Sequence, residues 1–224
     1  MKQLVVKLGG EAGLGIMTFG DWLGKLAMRS GLWAFEYPEY PSLIKGGNNT
    51  QKVVLSSNEI FSIPQRTDLL VALDKNTFLL NKSELAKNSL IIGWEDGVPA
   101  QRNSLVVSLE VKQKIFAQNQ NSFFFGILTA ILGFSEEKAI RILKETFTGK
   151  KQKLFPANQK AFRFGREWVW SLTRISRFDY FRLKKKPNKL LLSGNEAIAA
   201  AAVAAKCGYA AVYPMTPISS ILHS

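Results

Sequence analysis

One cysteine and one histidine in 224 residues leave little room for several kinds of chemistry. Cys207 has no second cysteine to pair with, so the chain is not a disulfide framework, and Cys207 with His223 cannot complete a Cys/His zinc site. Long apolar runs are missing too. No stretch reaches the roughly eighteen residues of a membrane span, and the opening "MKQLVVKLGG" is interrupted by Lys7 too early to serve as a signal-peptide core. These absences point to the cytoplasm, with no membrane contact and no metal held within the chain. Cys207 follows an Ala-rich helical stretch and precedes Gly208, where a small buried thiol is expected.

Acidic residues are scarce in one segment only. Residues 141–190 carry 15 Lys and Arg against 3 Asp and Glu, while residues 1–140 carry 14 against 13, so nearly all of the net +13 belongs to that segment. Part of it, "FGREWVWSLTRISRFDYFRLKKKPNK", interleaves bases with aromatics. That pattern suits a surface tracking a nucleic-acid strand, an amphipathic helix with inward aromatics leading to a solvated linker, or a face for an acidic protein or anionic cofactor.

The remaining pattern is strand and helix in alternation. "QLVVKLGG" reads as a buried parallel strand, and the next stretch places Ile16, Phe19, Leu23, Leu26 and Ala27 on one helical face before Gly31. "LWAFEY", "QKVVLS", "DLLVALD", "SLIIGW" and "SLVVSLEV" read as further strands, and "KNTFLLNKSELAK" as a helix. Helices follow: "NSFFFGILTAILGF", then "SEEKAIRILKETF" with Ser135 as its N-cap, then the basic aromatic one. The expected architecture is a three-layer α/β domain with a mostly parallel sheet over residues 1–178. A basic linker occupies 179–189. Over 190–224 the pattern restarts as "LLLSG", an Ala-rich helix and "YAAVYP", the opening of a second α/β domain that reads as incomplete.

Three stretches carry candidate binding chemistry. In "GGEAGLG", Gly10, Gly13 and Gly15 join the first strand to the first helix and would let backbone N–H groups approach an anion. Glu36 stands where a ribose-binding acid would follow, although Glu11 inside the loop would repel a pyrophosphate. In "EYPEYPSLIKGGNNT", Ser42, Lys45, Gly46 and Gly47 combine a hydroxyl, a cation and a double glycine, suited to an anionic ligand or a partner surface. In "YPMTPISS", Tyr213 and Pro214 lead to Thr216 as an N-cap with Pro217 at the first helical position. Ser219 and Ser220 add hydroxyls there, suited to a carboxylate or a ring nitrogen.

Taken in order, GGEAGLG, EYPSLIKGG, DLLVALD, the basic linker and "SGNEAIAAAAVAAKCGYAAVYPMTPISS" resemble the 2-oxoacid:ferredoxin (or flavodoxin) oxidoreductases. The match is to an alpha subunit with a gamma domain fused ahead of a thiamine-pyrimidine domain, nearest the 2-oxoglutarate type. Leu14, Lys45 and Asn48 stand where that type has Gln, Arg and His. The resemblance implies oxidative decarboxylation of a 2-oxoacid with CoA to an acyl-CoA, CO2 and reduced ferredoxin or flavodoxin. It implies thiamine diphosphate with Mg2+ and iron–sulfur clusters in the complete complex, the diphosphate, metal and cluster ligands coming from a separate beta subunit. It places Thr216 beside the substrate carboxylate and the cofactor pyrimidine, and it assigns no catalytic residue within 1–224. Two other readings remain at this point: a nucleotide-binding regulatory α/β module using GGEAGLG and Glu36, and a nucleic-acid-binding protein using 141–190.

Overall fold

The computed structural model describes residues 3–39, 47–172, 190–213, 215 and 218–223. The chain divides into two compact units, Met1–Pro187 and Asn188–Ser224.

The first unit is built on six strands: β1 (Gln3–Glu11), β2 (Trp33–Glu39), β3 (Asn48–Ser56), β4 (Thr67–Ala72), β5 (Leu85–Trp94) and β6 (Ser104–Val107). They lie in the order β2-β3-β1-β4-β5-β6. The pairs β1–β4, β4–β5 and β5–β6 are parallel, whereas β3 runs antiparallel to both β1 and β2. Pro38, which cannot donate to a ladder, sits on the edge strand β2, where that costs least. Alternation along β1 sorts its side chains: Leu4, Val6 and Leu8 enter the main core, and Lys7 and Gly9 turn to the opposite face.

The helices are α1 (Ile16–Arg29), α2 (Lys75–Asn81), α3 (Leu109–Gln113), α4 (Gln120–Ile131), α5 (Glu136–Thr146) and α6 (Phe155–Ser171), with α7 (Gly194–Ala204) in the second unit. Ile16, Phe19, Leu23, Leu26 and Ala27 are all buried, so the predicted apolar face of α1 is the one that meets the sheet. Gly31, at φ 91°, ends that helix as expected. Helix α4 is buried from Ser122 to Ile131 and forms the centre of the helical layer between α1 and α6. The opposite face of the sheet carries a smaller core of Leu70, Ala72, Ile91 and Val98, with the short α2 nearby.

Two segment expectations change. The helix foreseen over 75–87 stops at Asn81, passes through a 3-10 turn (Lys82–Glu84), and gives Leu85–Lys87 to β5. Leu85 pairs with Thr67 on β4, so the parallel ladder takes residues whose own propensity is helical. The strand foreseen in "SLVVSLEV" stops at Val107, because the Ser108 hydroxyl accepts from the Val111 N–H and starts α3. Ser135 caps α5 through the Lys138 N–H, as its sequence predicts.

In the second unit, α7 opens with a capping box. The Ser193 Oγ accepts from the Glu196 N–H at 3.2 Å, and the Glu196 carboxylate accepts from the Ser193 N–H at 2.6 Å. A 3-10 turn follows at Ile218–His223. The strands expected at "LLLSG" and "YAAVYP" are not formed among the described residues, where neither segment pairs with another strand. Cys207 is exposed rather than buried: Lys206 turns into the left-handed region at φ 55° and carries the chain off the helix.

Candidate functional site

The parallel strands β1, β4, β5 and β6 all end at one edge of the sheet, where open α/β sheets place their ligands. The glycine loop is there, and its geometry is that of a fastened turn. Gly10 belongs to β1, opposite Asn49, and a Cβ on it would come within 3.0–3.2 Å of Ile16, Leu14 and Leu73. Gly13 and Gly15 adopt φ 96° and 71°, conformations that a side chain would strain. The Ala12 N–H donates to the Gly47 carbonyl at 3.0 Å and the Leu14 N–H to the Glu11 carbonyl at 3.1 Å. The Asn121 amide donates to the Leu14 carbonyl and, at 3.2 Å, to that of Gly15. Two N–H groups meant for an anion are thus engaged within the chain. Exposed Glu11, Glu95 and Asp96 lie along the same edge. Glu36 is not presented there: it sits mid-strand, level with Val53 and Val6, and its Oε2 accepts from Gln51 at 2.8 Å.

Ser42, Lys45 and Gly46 lie outside the described residues, but both roots of their connection are in view. Gly47 accepts from Ala12 at one root. At the other, the Glu39 carboxylate receives Thr50 Oγ1 at 2.6 Å and Lys7 Nζ at 2.7 Å. Lys7 also meets Glu84 at 3.1 Å, and Lys52 meets Glu84 at 2.8 Å and Glu39 at 3.5 Å. Two cations and two anions therefore form a closed ring on the second face of the sheet, with Lys7 only 2% exposed. Burial opposes ionisation of Glu39 most strongly. The hydrogen bonds from Lys7 and Thr50, with the charges of Lys7 and Lys52, outweigh it and hold the carboxyl below the usual glutamate range. No sequence motif marks this ring.

A second network braces the end of β4. Asp74 Oδ1 accepts from the Thr77 N–H at 2.8 Å and from its hydroxyl at 3.1 Å, and the Asn48 amide donates to Thr77 Oγ1 at 2.5 Å. Removing the cap by Asp74→Ala should cost about 1–2 kcal/mol in urea unfolding. Asp74→Ser, which keeps a cap oxygen, should recover more than half of that.

In the second unit Tyr213 is exposed, the Ser219 hydroxyl donates to the Met215 carbonyl at 3.1 Å, and Ser220 Oγ accepts from the Asn195 amide. Pro214 and Thr216 lie outside the described residues, as does 173–189 of the basic segment. In the part of that segment that is described, the aromatics turn inward: Phe162 is fully buried and Phe164 and Trp168 pack on the core. Lys150, Lys151, Lys153 and Lys160 stay exposed. Trp170 is half exposed but lies 4.9 Å from the Arg166 guanidinium. This favours the amphipathic-helix reading over an aromatic stacking platform. Among the described residues no cluster of three His, Cys, Asp or Glu could hold a metal, and no helix is long and apolar enough to cross a membrane.

Comparison with known proteins gives a consistent picture. Residues 5–168 match the family described as pyruvate ferredoxin/flavodoxin oxidoreductase. The ketoisovalerate oxidoreductase subunit VorA of Methanothermobacter thermautotrophicus is 29% identical over 177 residues, 75% of this chain but only 36% of that protein. The 2-oxoglutarate synthase subunit KorC of the same organism is 27% identical over 186 residues, covering 75% of this chain and 96% of its own length. Among solved structures, the 2-oxoglutarate:ferredoxin oxidoreductase of Magnetococcus marinus, with 2-oxoglutarate, coenzyme A and succinyl-CoA bound, superposes with a TM-score of 0.82 at 22% identity. That match covers all of this chain and 41% of that one. A keto/oxoacid ferredoxin oxidoreductase gamma subunit from Geobacter sulfurreducens gives a TM-score of 0.63 at 19% identity, over 76% of this chain and 98% of that one.

Proposed function

From its membership of the pyruvate ferredoxin/flavodoxin oxidoreductase family, to which this chain belongs over residues 5–168, we propose that it is the gamma-bearing part of a 2-oxoacid:ferredoxin oxidoreductase acting in the cytoplasm. Within it, 1–178 is the gamma domain, 179–189 a linker and 190–224 the start of the thiamine-pyrimidine domain. The complex oxidises a 2-oxoacid, with 2-oxoglutarate the favoured substrate, to an acyl-CoA and CO2 and passes electrons to ferredoxin or flavodoxin.

The family match over most of the first unit carries this reading. The chain spans about a third of VorA and nearly all of KorC, so a domain of this kind occurs both fused and as a separate subunit. Iron–sulfur clusters need several thiolates, and one exposed cysteine does not fit them. In this reading a beta subunit brings the clusters, together with the ligands for thiamine diphosphate and Mg2+. When bound, the thiamine cofactor supplies the carbon chemistry of decarboxylation. This chain's share is to present Tyr213, Pro214, Thr216, Ser219 and Ser220 to substrate and cofactor, with Ser42, Lys45, Gly46 and Gly47 as an anion- or CoA-facing loop. The engaged glycine loop and mid-strand Glu36 weigh against a nucleotide site at the sheet edge, and the inward aromatics against nucleic acid.

The test is a complex isolated through a tag on this chain and assayed for CoA-dependent reduction of ferredoxin with 2-oxoglutarate, pyruvate and branched 2-oxoacids. Reduction with at least one substrate is expected. Thr216→Ala should lower turnover about 10- to 100-fold, as loss of one aligned hydrogen bond to the substrate carboxylate would, with subunit assembly intact. Isolation without any iron–sulfur partner, or with no 2-oxoacid-dependent reduction, defeats the proposal.

A further inference from the structure

At the end of the sheet opposite the glycine loop, a cleft of about 320 Å3 opens between the first half of β5 and the turn that leads into β6. Leu85 and Ile91 line it and pack with the smaller core on the second face of the sheet. Its charge is of one sign. Lys87 and Arg102 stand exposed along it, and among the described residues neither forms an ion pair. Glu84, the acid nearest to Lys87 in sequence, is spent on Lys7 and Lys52. A neighbouring cleft shares Ala86 and Lys87, but its own arginine, Arg66, is held by Asp68 at 3.1 Å. An anion therefore gains most on the Arg102 side.

The second observation is a hydroxyl. Ser104 stands opposite Ile91 in the parallel ladder, so its side chain points to the same face as a residue that lines the cleft. Its Oγ is buried without a hydrogen-bond partner. An enclosed hydroxyl left unpaired costs free energy, and an acceptor brought by a ligand would recover it. Ser89, only 6% exposed, and Asn103 add further polar groups. The wall is fastened in place, since the Ser104 N–H donates to the Gln101 carbonyl at 3.0 Å and the Ile91 N–H to the Asn103 carbonyl at 2.9 Å. Little ordering is left for a ligand to impose.

We infer that this cleft binds a small dicarboxylate of four or five carbons, one carboxylate on the Arg102 guanidinium and the other on Lys87, with the methylenes over Leu85 and Ile91. The planar fork of arginine matches a carboxylate. The apolar floor asks for carbon between the charges, which a free phosphate lacks, and the volume lies at the small end of ligand clefts. Open α/β sheets hold their principal ligands at the carboxyl ends of the strands. This cleft lies at the amino ends of β5 and β6, so its occupant is separate from any substrate at the other edge. The inference rests on the cleft alone, whatever complex the chain serves.

Calorimetric titration of the full chain with succinate and glutarate, which carry no 2-oxo group, tests it, with acetate and inorganic phosphate as controls. One saturable site for a dicarboxylate is expected, its affinity falling as salt rises. Arg102→Gln, at an exposed position, should weaken binding about tenfold or more while circular dichroism stays unchanged. Arg102→Lys should restore only part of that, because it keeps the charge and loses the fork. Ser104→Ala should weaken binding about three- to tenfold and raise the urea midpoint of the free chain, since it deletes an unpaired hydroxyl. The assignment is overturned if neither dicarboxylate binds, if acetate or phosphate binds as tightly, or if Arg102→Gln leaves affinity unchanged.

Discussion

Replacing Gly126 with alanine is expected to destabilise the first unit by more than about 3 kcal/mol, against the ordinary preference of helices for alanine. By propensity alone the substitution inside α4 would gain about 1 kcal/mol. The helix crossing reverses the sign. A Cβ on Gly126 would fall 2.0 Å from the Phe162 carbonyl oxygen on α6, and a Cβ on Gly165 would fall 2.1 Å from the Phe123 carbonyl oxygen on α4. Both obstacles are backbone, so no rotamer change relieves them. Hydrogen bonds bracket the crossing, Ser122 to Asn158 at 2.7 Å on one side and Arg166 to Thr129 at 2.8 Å on the other, and they resist separation of the helices. Gly165→Ala should cost a similar amount. The double variant should cost less than the sum by more than about 1 kcal/mol, because either methyl already forces the helices apart. Urea unfolding measures all three, and a higher midpoint for Gly126→Ala would mean that the helices do not cross this closely.

Neither glycine was marked by its sequence, and the reason is general. "SFFFGIL" and "RFGREW" show a glycine in each helix, but the demand for it comes from the partner helix some forty residues away. Local pattern did reveal what local chemistry decides: the apolar face of α1, the Gly31 terminus and the Ser135 cap. It erred where pairing decides. Leu85–Lys87 has a helical composition, yet it completes the ladder beside β4. "YAAVYP" has a strand composition, yet no neighbour among the described residues makes it one. At the candidate site the motifs located the loops but not what fastens them. Gly10 reads as part of a phosphate loop and serves instead as a strand position packed under Ile16 and Leu73. Asn121, which ties the loop to α4, is separated from it by more than a hundred residues.

Lys7 is the clearest case of a residue misjudged by local reading, and it carries the last prediction. In sequence it looks like a charge that interrupts an apolar strand. In the fold it is a fully enclosed cation bonded to Glu39 and Glu84, and through them to Lys52. Lys7→Met should cost about 3 kcal/mol or more near neutral pH, because two partly buried carboxylates would then share Lys52 alone. Acid should narrow the difference. In the wild type the Glu39 carboxyl is held below its ordinary value of 4.5, so its contribution is complete above that value and is lost as pH falls through the lower folded value. Without Lys7, burial, already the largest single influence on Glu39, is opposed only by the Thr50 hydrogen bond and the Lys52 charge, so the folded value rises and protonation relieves the variant where it harms the wild type. The two stability curves should therefore converge below about pH 4.5. Adding Glu84→Gln to Lys7→Met leaves one cation facing one anion and should restore more than half of the loss at pH 7. A stability difference independent of pH would show that Lys7 acts through packing, and no rescue by Glu84→Gln would show that the ring is not electrically coupled. Glu39 closes β2, so the same ring fixes one root of the connection bearing Ser42 and Lys45. On the proposed anion- or CoA-facing role of Ser42 and Lys45, Lys7→Met should disturb ligand affinity as well as stability, and Glu84→Gln should correct both together.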